Sequence, residues 1–220
     1  VSDEKHADPA TKEALRYSRA LFEGYKALAT QPLSTRTAEE ICTTIKGVEM
    51  RVRRTSGTAL TNDLTGEIIY TPPAGEQLLR DKLANWEQFL HNATDIDPLV
   101  RMAMGHYQFE AIHPFTDGNG RATRALSLLL LLPEGYEIKK FFSLDEYYDQ
   151  DPQAYYDALK SVEITGDLTT WLEYFVLGIS IEFNRVKSLV QNLYLDLHLK
   201  ETIGGKQIAL SDRQIKLVEY

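Results

Sequence analysis

The residues of this chain best suited to chemistry lie together in one segment, Ile112-His113-Pro114-Phe115-Thr116-Asp117-Gly118-Asn119-Gly120-Arg121-Ala122-Thr123-Arg124. It holds a proton acceptor, an acidic oxygen donor, two glycines and two guanidiniums. Histidine is the side chain that takes up a proton near neutral pH. Pro114 disfavours helical geometry at His113, so the preceding helix must end there with the imidazole free to face the next one. A lone histidine is more often a hydrogen-bonded core residue; His113 reads differently because of its company.

Two roles suit Asp117: capping the helix that follows, or holding Mg²⁺ beside phosphate oxygens. The sequence leaves both open. Gly118-Asn119-Gly120 permits positive φ and close backbone approach, so successive N–H groups can converge on an anion at a helix N-terminus. As a bare turn signal Asp-Gly-Asn-Gly is weak. Arg121 and Arg124, three apart on one face of the first turn, strengthen it. Cations there are unfavourable by roughly 0.3–1 kcal/mol each, and a helix shaped for stability alone would carry Asp or Glu. With only Asp117 nearby in sequence, the segment asks for an anion, and a nucleoside triphosphate uses every group in it.

A calcium loop is the rival reading of Asp117-Gly118-Asn119-Gly120. That register puts Phe115 where the first carboxylate belongs and Leu126 where the bidentate Glu belongs, with an arginine inside the loop. Calcium is excluded.

The elements that must position this segment read mostly as helix. Asp8-Pro9 opens the first, with Pro9 suited to the first helical position. A second follows Ser34 and is expected to run to about Arg51. Thr58-Ala59-Leu60 and Glu67-Ile68-Ile69-Tyr70-Thr71 flank the polar turn Asn62 to Gly66 as a β-hairpin, which Pro72-Pro73 closes off. Helices are expected from about Gly75 to His91 and from Asp97-Pro98 up to His113. Gly120 to Leu132 is apolar on nearly all sides, as in a helix buried mid-domain. Ser143 caps a short helix, Asp151-Pro152 opens another, and a long one spans about Leu168 to Leu199. The fold class is all-α with one small hairpin before the helix pair that carries the site.

With 220 residues the chain can bury a substantial core in one domain. Its net charge of −8 argues against a surface that coats nucleic acid, so a polyanion must be held at a local basic spot. The single cysteine, Cys42, excludes an internal disulfide and fits a reducing, cytoplasmic compartment. No apolar run reaches the ~18–20 residues of a membrane span. The start at Val1 and the barely begun helix after Leu210-Ser211 suggest a piece cut at both ends.

The segment from His113 to Arg124 resembles the signature of the Fic-domain family, His-x-Phe-x-[Asp/Glu]-Gly-Asn-Gly-Arg-x-x-Arg, without a departure. The resemblance implies transfer of AMP from ATP to a Ser, Thr or Tyr hydroxyl of a protein, self-modification included. His113 is then the general base, Phe115 the packing under the loop, and Asp117 the Mg²⁺ ligand. Gly118, Asn119 and Gly120 form the anion nest, with Arg121 and Arg124 on the phosphates. The hairpin, about residues 55–71, resembles the family's flap, with Thr58, Ala59 and Leu60 as the clamp on the target. Tyr155-Tyr156 with Gly166-Asp167 resembles the region lining the adenine pocket; Tyr156 fits that role and plain helix core equally.

On this resemblance residues 1–203 form the Fic domain, and residues 204–220 a linker and the start of a winged-helix-like module. Many members are restrained by Ser/Thr-x-x-x-Glu-Gly/Asn, whose Glu pairs with the second motif arginine. No window here matches, Ser18 to Glu23-Gly24 being one residue too long. The restraint is therefore expected upstream of Val1 or on a partner chain. The same site is compatible with AMP removal or with transfer of another phosphate-containing group. A nucleotide-binding transcriptional regulator is the non-enzyme alternative, touching DNA only through the C-terminal module. A homodimer is compatible with either.

Overall fold

The computed structural model describes residues 8–55, 58–61, 68–132 and 143–201. Their elements are α1 (Pro9–Leu28), α2 (Thr35–Lys46), β1 (Leu60–Thr61), β2 (Ile68–Tyr70), α3 (Glu76–Asn92), α4 (Pro98–Ile112), α5 (Asn119–Leu131), α6 (Asp145–Gln150), α7 (Pro152–Thr165) and α8 (Thr169–Glu201). The all-helical class with one hairpin is what the sequence pattern calls for. The hairpin tip, residues 62–67, and the segment 204–220 read as a linker and module start lie outside the described residues.

Local chemistry sets the helix boundaries. Asp8 accepts from the Thr11 N–H at 3.0 Å, Asp97 from Leu99 at 2.9 Å and Asp151 from Ala154 at 3.0 Å, each just before a proline that lacks its own N–H. Ser34 and Thr37 form a reciprocal capping box on α2. That helix stops at Lys46, short of the expected Arg51, because Gly47 adopts φ 70° and sends its N–H to the Thr43 carbonyl at 2.8 Å. The Met50 N–H then returns to the Thr43 hydroxyl at 2.9 Å, and the Val52 N–H to Glu39 at 3.1 Å. The chain is thereby folded back toward the loop after α4.

α5 is the axis of the domain. Its Leu126 and Leu129 join one buried cluster with Ile41, Ile45, Leu83, Trp86 and Phe109. Its Leu128 and Leu131 join a second cluster with Met102, Tyr148, Trp171 and Phe175. Burial on both sides explains why this helix is apolar nearly all round. His106 on α4 sits inside the second cluster, its ring nitrogens 2.9 Å from the Ser127 and Tyr155 hydroxyls. The hairpin pairs Leu60 with Tyr70 and Thr61 with Ile68, with a register shift between them.

Candidate active site

His113 terminates α4 in the left-handed region, φ 48° and ψ 60°, the one positive-φ non-glycine among the described residues. Pro114 excludes the helical conformation there, and the chain takes the left-handed turn rather than an extended one. Such a conformation costs a non-glycine residue about 1–3 kcal/mol and persists only where its surroundings hold it. They do. The His113 N–H bonds the Phe109 carbonyl at 3.0 Å, and its own carbonyl accepts from Arg53 Nε at 2.9 Å. The Arg53 backbone N–H donates to the Pro114 carbonyl at 2.9 Å. The rest of the guanidinium donates to the Thr55 carbonyl at 3.5 Å and to the Pro73 carbonyl, on the two shoulders of the hairpin. Arg53 is buried and ties the site loop to the flap. Sequence reasoning missed it; a lone arginine before a hairpin carries no local signal.

The His113 imidazole is mostly buried. Desolvation and the nearby Arg53 guanidinium push its pKa down to about 4, against smaller upward effects of the Glu110 carbonyl and Asp117. It is therefore neutral at pH 7 and able to accept a proton.

Phe115 is completely buried, its ring 6.1 Å from that of Phe109. Asn119 holds the loop above it: Oδ1 accepts the Phe115 N–H and Nδ2 donates to the Phe115 carbonyl, both at 2.8 Å. The side chain of Asn119 is thus committed to the loop, and what it offers an anion is its backbone N–H. The first N–H groups of α5, at Asn119, Gly120 and Arg121, have no partner within a helix. Gly118 has φ 80°, and a Cβ there would stand 3.1 Å from Cys42 Sγ and 3.2 Å from Lys46 Cδ. The positive φ favours glycine, and a Cβ would press on both neighbours as well.

Asp117 is about half exposed and accepts the Gly118 N–H at 2.6 Å. Its second oxygen pairs with Lys46, the main cause of a carboxyl pKa below its ordinary range. Asp117 therefore stays ionised. No group of three His, Cys, Asp or Glu side chains among the described residues could cage a metal alone. An ionised carboxylate at the mouth of an anion-receptive helix end does fit Mg²⁺, which takes one or two carboxylates and completes its shell with phosphate and water.

The motif arginines are not bare. Arg121 pairs with Glu13 of α1 and lies 3.6 Å from Asp117, and Arg124 Nε lies 2.5 Å from Asp145 Oδ1 of α6. The sequence suggested Asp117 as the only acid near them; Glu13 and Asp145 arrive from distant elements. Glu23, in the near-miss inhibitory window, is exposed and takes the Thr44 hydroxyl at 3.3 Å.

The flap residues Thr58, Ala59 and Leu60 are half-buried on the hairpin's first arm, and the Tyr70 hydroxyl on the second donates to the Ala111 carbonyl at 2.7 Å. The hairpin is thereby fastened to α4 just before His113. A groove of about 400 Å³ flanks it, lined by Tyr70, Pro73, Lys82, Tyr107 and Ala111 rather than by the motif. Tyr156 is half exposed, with its ring 5.4 Å from Tyr155. Tyr155, pointing inward to His106, is the one of the two that acts electrostatically on Arg124.

The site thus combines a mostly buried imidazole at a fixed helix end with the N-terminus of α5 and two arginines, on a helical scaffold. The chain belongs to the Fic/DOC family, whose profile matches residues 12–131, more than half of its length. Protein adenylyltransferase fic-1 of Caenorhabditis briggsae is 34% identical over 109 residues, covering 48% of this chain and 20% of that protein. Protein adenylyltransferase Fic of Nematostella vectensis is 36% identical over 88 residues, covering 39% of this chain and 21% of that one. The chain thus spans about a fifth of the length of these relatives. A Fic family protein from Desulfovibrio desulfuricans G20 shares the fold with a TM-score of 0.66 at 20% identity, over 97% of this chain and 64% of that one. Fic-1 of Caenorhabditis elegans gives a TM-score of 0.63 at 20% identity, over 85% and 54%.

Proposed function

We propose that this chain transfers AMP from ATP to a Ser, Thr or Tyr hydroxyl of a protein. The observation that carries the reading is a neutral imidazole, held at the end of α4, next to the N-terminus of α5 with its two arginines. The adenylyltransferase names of the relatives support it.

His113 takes the proton of the incoming hydroxyl as its oxygen bonds to the α-phosphorus and the bond to the pyrophosphate oxygen breaks. Backbone N–H groups at Asn119 and Gly120, with Arg121 and Arg124, hold the negative charge that collects on the leaving pyrophosphate, while the Gly118 N–H stays on Asp117. Asp117 would hold Mg²⁺, which when bound neutralises phosphate charge. Thr58, Ala59 and Leu60 receive the target segment along the flap, where backbone pairing orients a hydroxyl without reading much of its sequence. Tyr156 borders the adenine. The lone cysteine, Cys42, argues for a cytoplasmic setting, and no helix of the described residues is long and apolar enough to cross a membrane.

The test is incubation with Mg²⁺ and ATP labelled on the α- or the γ-phosphate, followed by mass measurement of the chain and of added proteins. Gain of an adenylyl group with the α-label is expected, and gain of the γ-label would instead mean phosphoryl transfer. His113→Ala should abolish labelling and retain ATP binding. Undiminished labelling in that variant would remove His113 from the mechanism.

A further inference from the structure

Nδ1 of His113 and Oε1 of Glu110 are both buried without a hydrogen-bond partner, and the other carboxylate oxygen, Oε2, stands 4.0 Å from that same Nδ1. Glu110 lies in the last turn of α4 and His113 is the left-handed residue that ends the helix, and the 4.0 Å separation puts the carboxylate beside the ring. Unpartnered buried polar atoms are rare in folded proteins, and two on facing groups call for a common explanation. We infer that Glu110 is a positioning residue for His113: its carboxylate takes the Nδ1–H of the imidazole and so leaves Nε2 as the nitrogen that accepts the proton of the target hydroxyl. The reaction assumed is the AMP transfer proposed above.

A carboxyl oxygen in that place can accept the N–H whether or not the group is ionised. The Glu110 carboxylate lies under the first turn of α5, with Oε1 3.7 Å from the position a Cβ on Gly120 would take. A helix N-terminus stabilises negative charge. Burial raises the pKa of the Glu110 carboxyl, and the Thr123 hydroxyl and the Arg124 guanidinium offset that rise only in part. The Glu110 backbone carbonyl also favours a proton on the imidazole. A separation of 4.0 Å is long for a hydrogen bond, but contacts of catalytic groups commonly close only when substrate is bound. The consequence is tautomer control: an imidazole whose Nδ1 carries the proton presents its lone pair at Nε2.

The experiment is nitrogen NMR of the whole chain labelled with ¹⁵N-histidine, the His113 signals being identified by their loss in His113→Ala. Wild type should show a neutral imidazole protonated at Nδ1. Glu110→Leu should shift His113 toward the Nε2-protonated form and lower kcat for adenylyl transfer by roughly ten- to a hundredfold, the range for lost supporting contacts, with KM for ATP unchanged. Glu110→Gln keeps a carbonyl oxygen and should retain the tautomer and most of the rate. An Nε2-protonated imidazole in wild type would overturn the inference, as would an unchanged tautomer in Glu110→Leu. A raised KM for ATP without a tautomer change would also overturn it, assigning Glu110 to Arg124. If the tautomer moves while wild type labels no protein, the positioning stands and the proposed reaction falls.

Discussion

Arg124 Nε of α5 lies 2.5 Å from Asp145 Oδ1 of α6, so a guanidinium placed for phosphate already carries a carboxylate. The buried hydroxyl of Tyr17 lies near both and couples to them electrostatically. Arg121 is likewise engaged, by Glu13. A polyphosphate entering this site must share or displace those acids. Asp145→Asn keeps the shape and removes the competing charge, so it should tighten ATP binding roughly three- to tenfold, the scale of a ~1 kcal/mol charge pair. Titration calorimetry reads this directly. Weaker binding in Asp145→Asn would mean that the carboxylate serves to aim Arg124 rather than to compete with phosphate.

Arg53 is buried and donates to the carbonyls of His113, Thr55 and Pro73. Arg53→Met keeps most of the volume and leaves those carbonyls without their donors. A loss of about 2–4 kcal/mol is expected, since orphaned buried polar groups cost ~1–3 kcal/mol each and compensate only partly. Denaturant unfolding measures it. Adenylyl transfer by the folded fraction should fall as well, because the left-handed turn at His113 loses its clamp. Full activity per folded molecule would show that the turn holds without Arg53.

The motif and the helices were legible because their determinants are local. Asp8-Pro9, Asp97-Pro98 and Asp151-Pro152 each combine a side-chain acceptor with a residue lacking an N–H, and each begins a helix. Apolar residues all round the middle of α5 announced its burial. What escaped was long-range company. Arg53 reaches His113 across 60 positions, and Glu13 and Asp145 come from elements before and after the motif. Periodicity carries no information about which charged side chain meets which. Gly47 was legible in principle: a glycine after an apolar-periodic run is a helix stop, and the pattern through Met50 masked it. Asn119 was read as part of an anion nest, whereas its side chain turns inward to the loop, a choice that only the buried Phe115 backbone decides.

That inward turn gives a clean substitution. Asn119→Asp is nearly isosteric and can still accept the Phe115 N–H, but it has no donor for the Phe115 carbonyl and sets two oxygens against each other. Destabilisation of roughly 2 kcal/mol is expected from the unsatisfied carbonyl. The added negative charge at the α5 N-terminus should also weaken ATP binding, because the helix end then faces its own anion. Thermal unfolding and calorimetry on one preparation test both effects. A variant as stable as wild type would mean that the loop is held by Phe115 packing alone.

His106 supplies a pH dependence of stability whose sign is fixed. Complete burial, with a smaller contribution from Arg124, lowers its pKa from 6.5 to about 3. Between those values the unfolded chain binds a proton that the folded chain does not, so folding stability falls as pH falls. The contribution is fully present above pH 6.5 and is lost progressively toward pH 3. His113, lowered to about 4, acts in the same direction over the upper part of that window. The midpoint of denaturant unfolding should therefore drop steadily from pH 7 to pH 4.5. His106→Gln retains a polar group between Ser127 and Tyr155 and removes the titration, so its midpoint should be lower at pH 7 yet decline less steeply on acidification. Parallel slopes for the two proteins would mean that His106 keeps its proton on folding, and the acid limb would then belong to other groups.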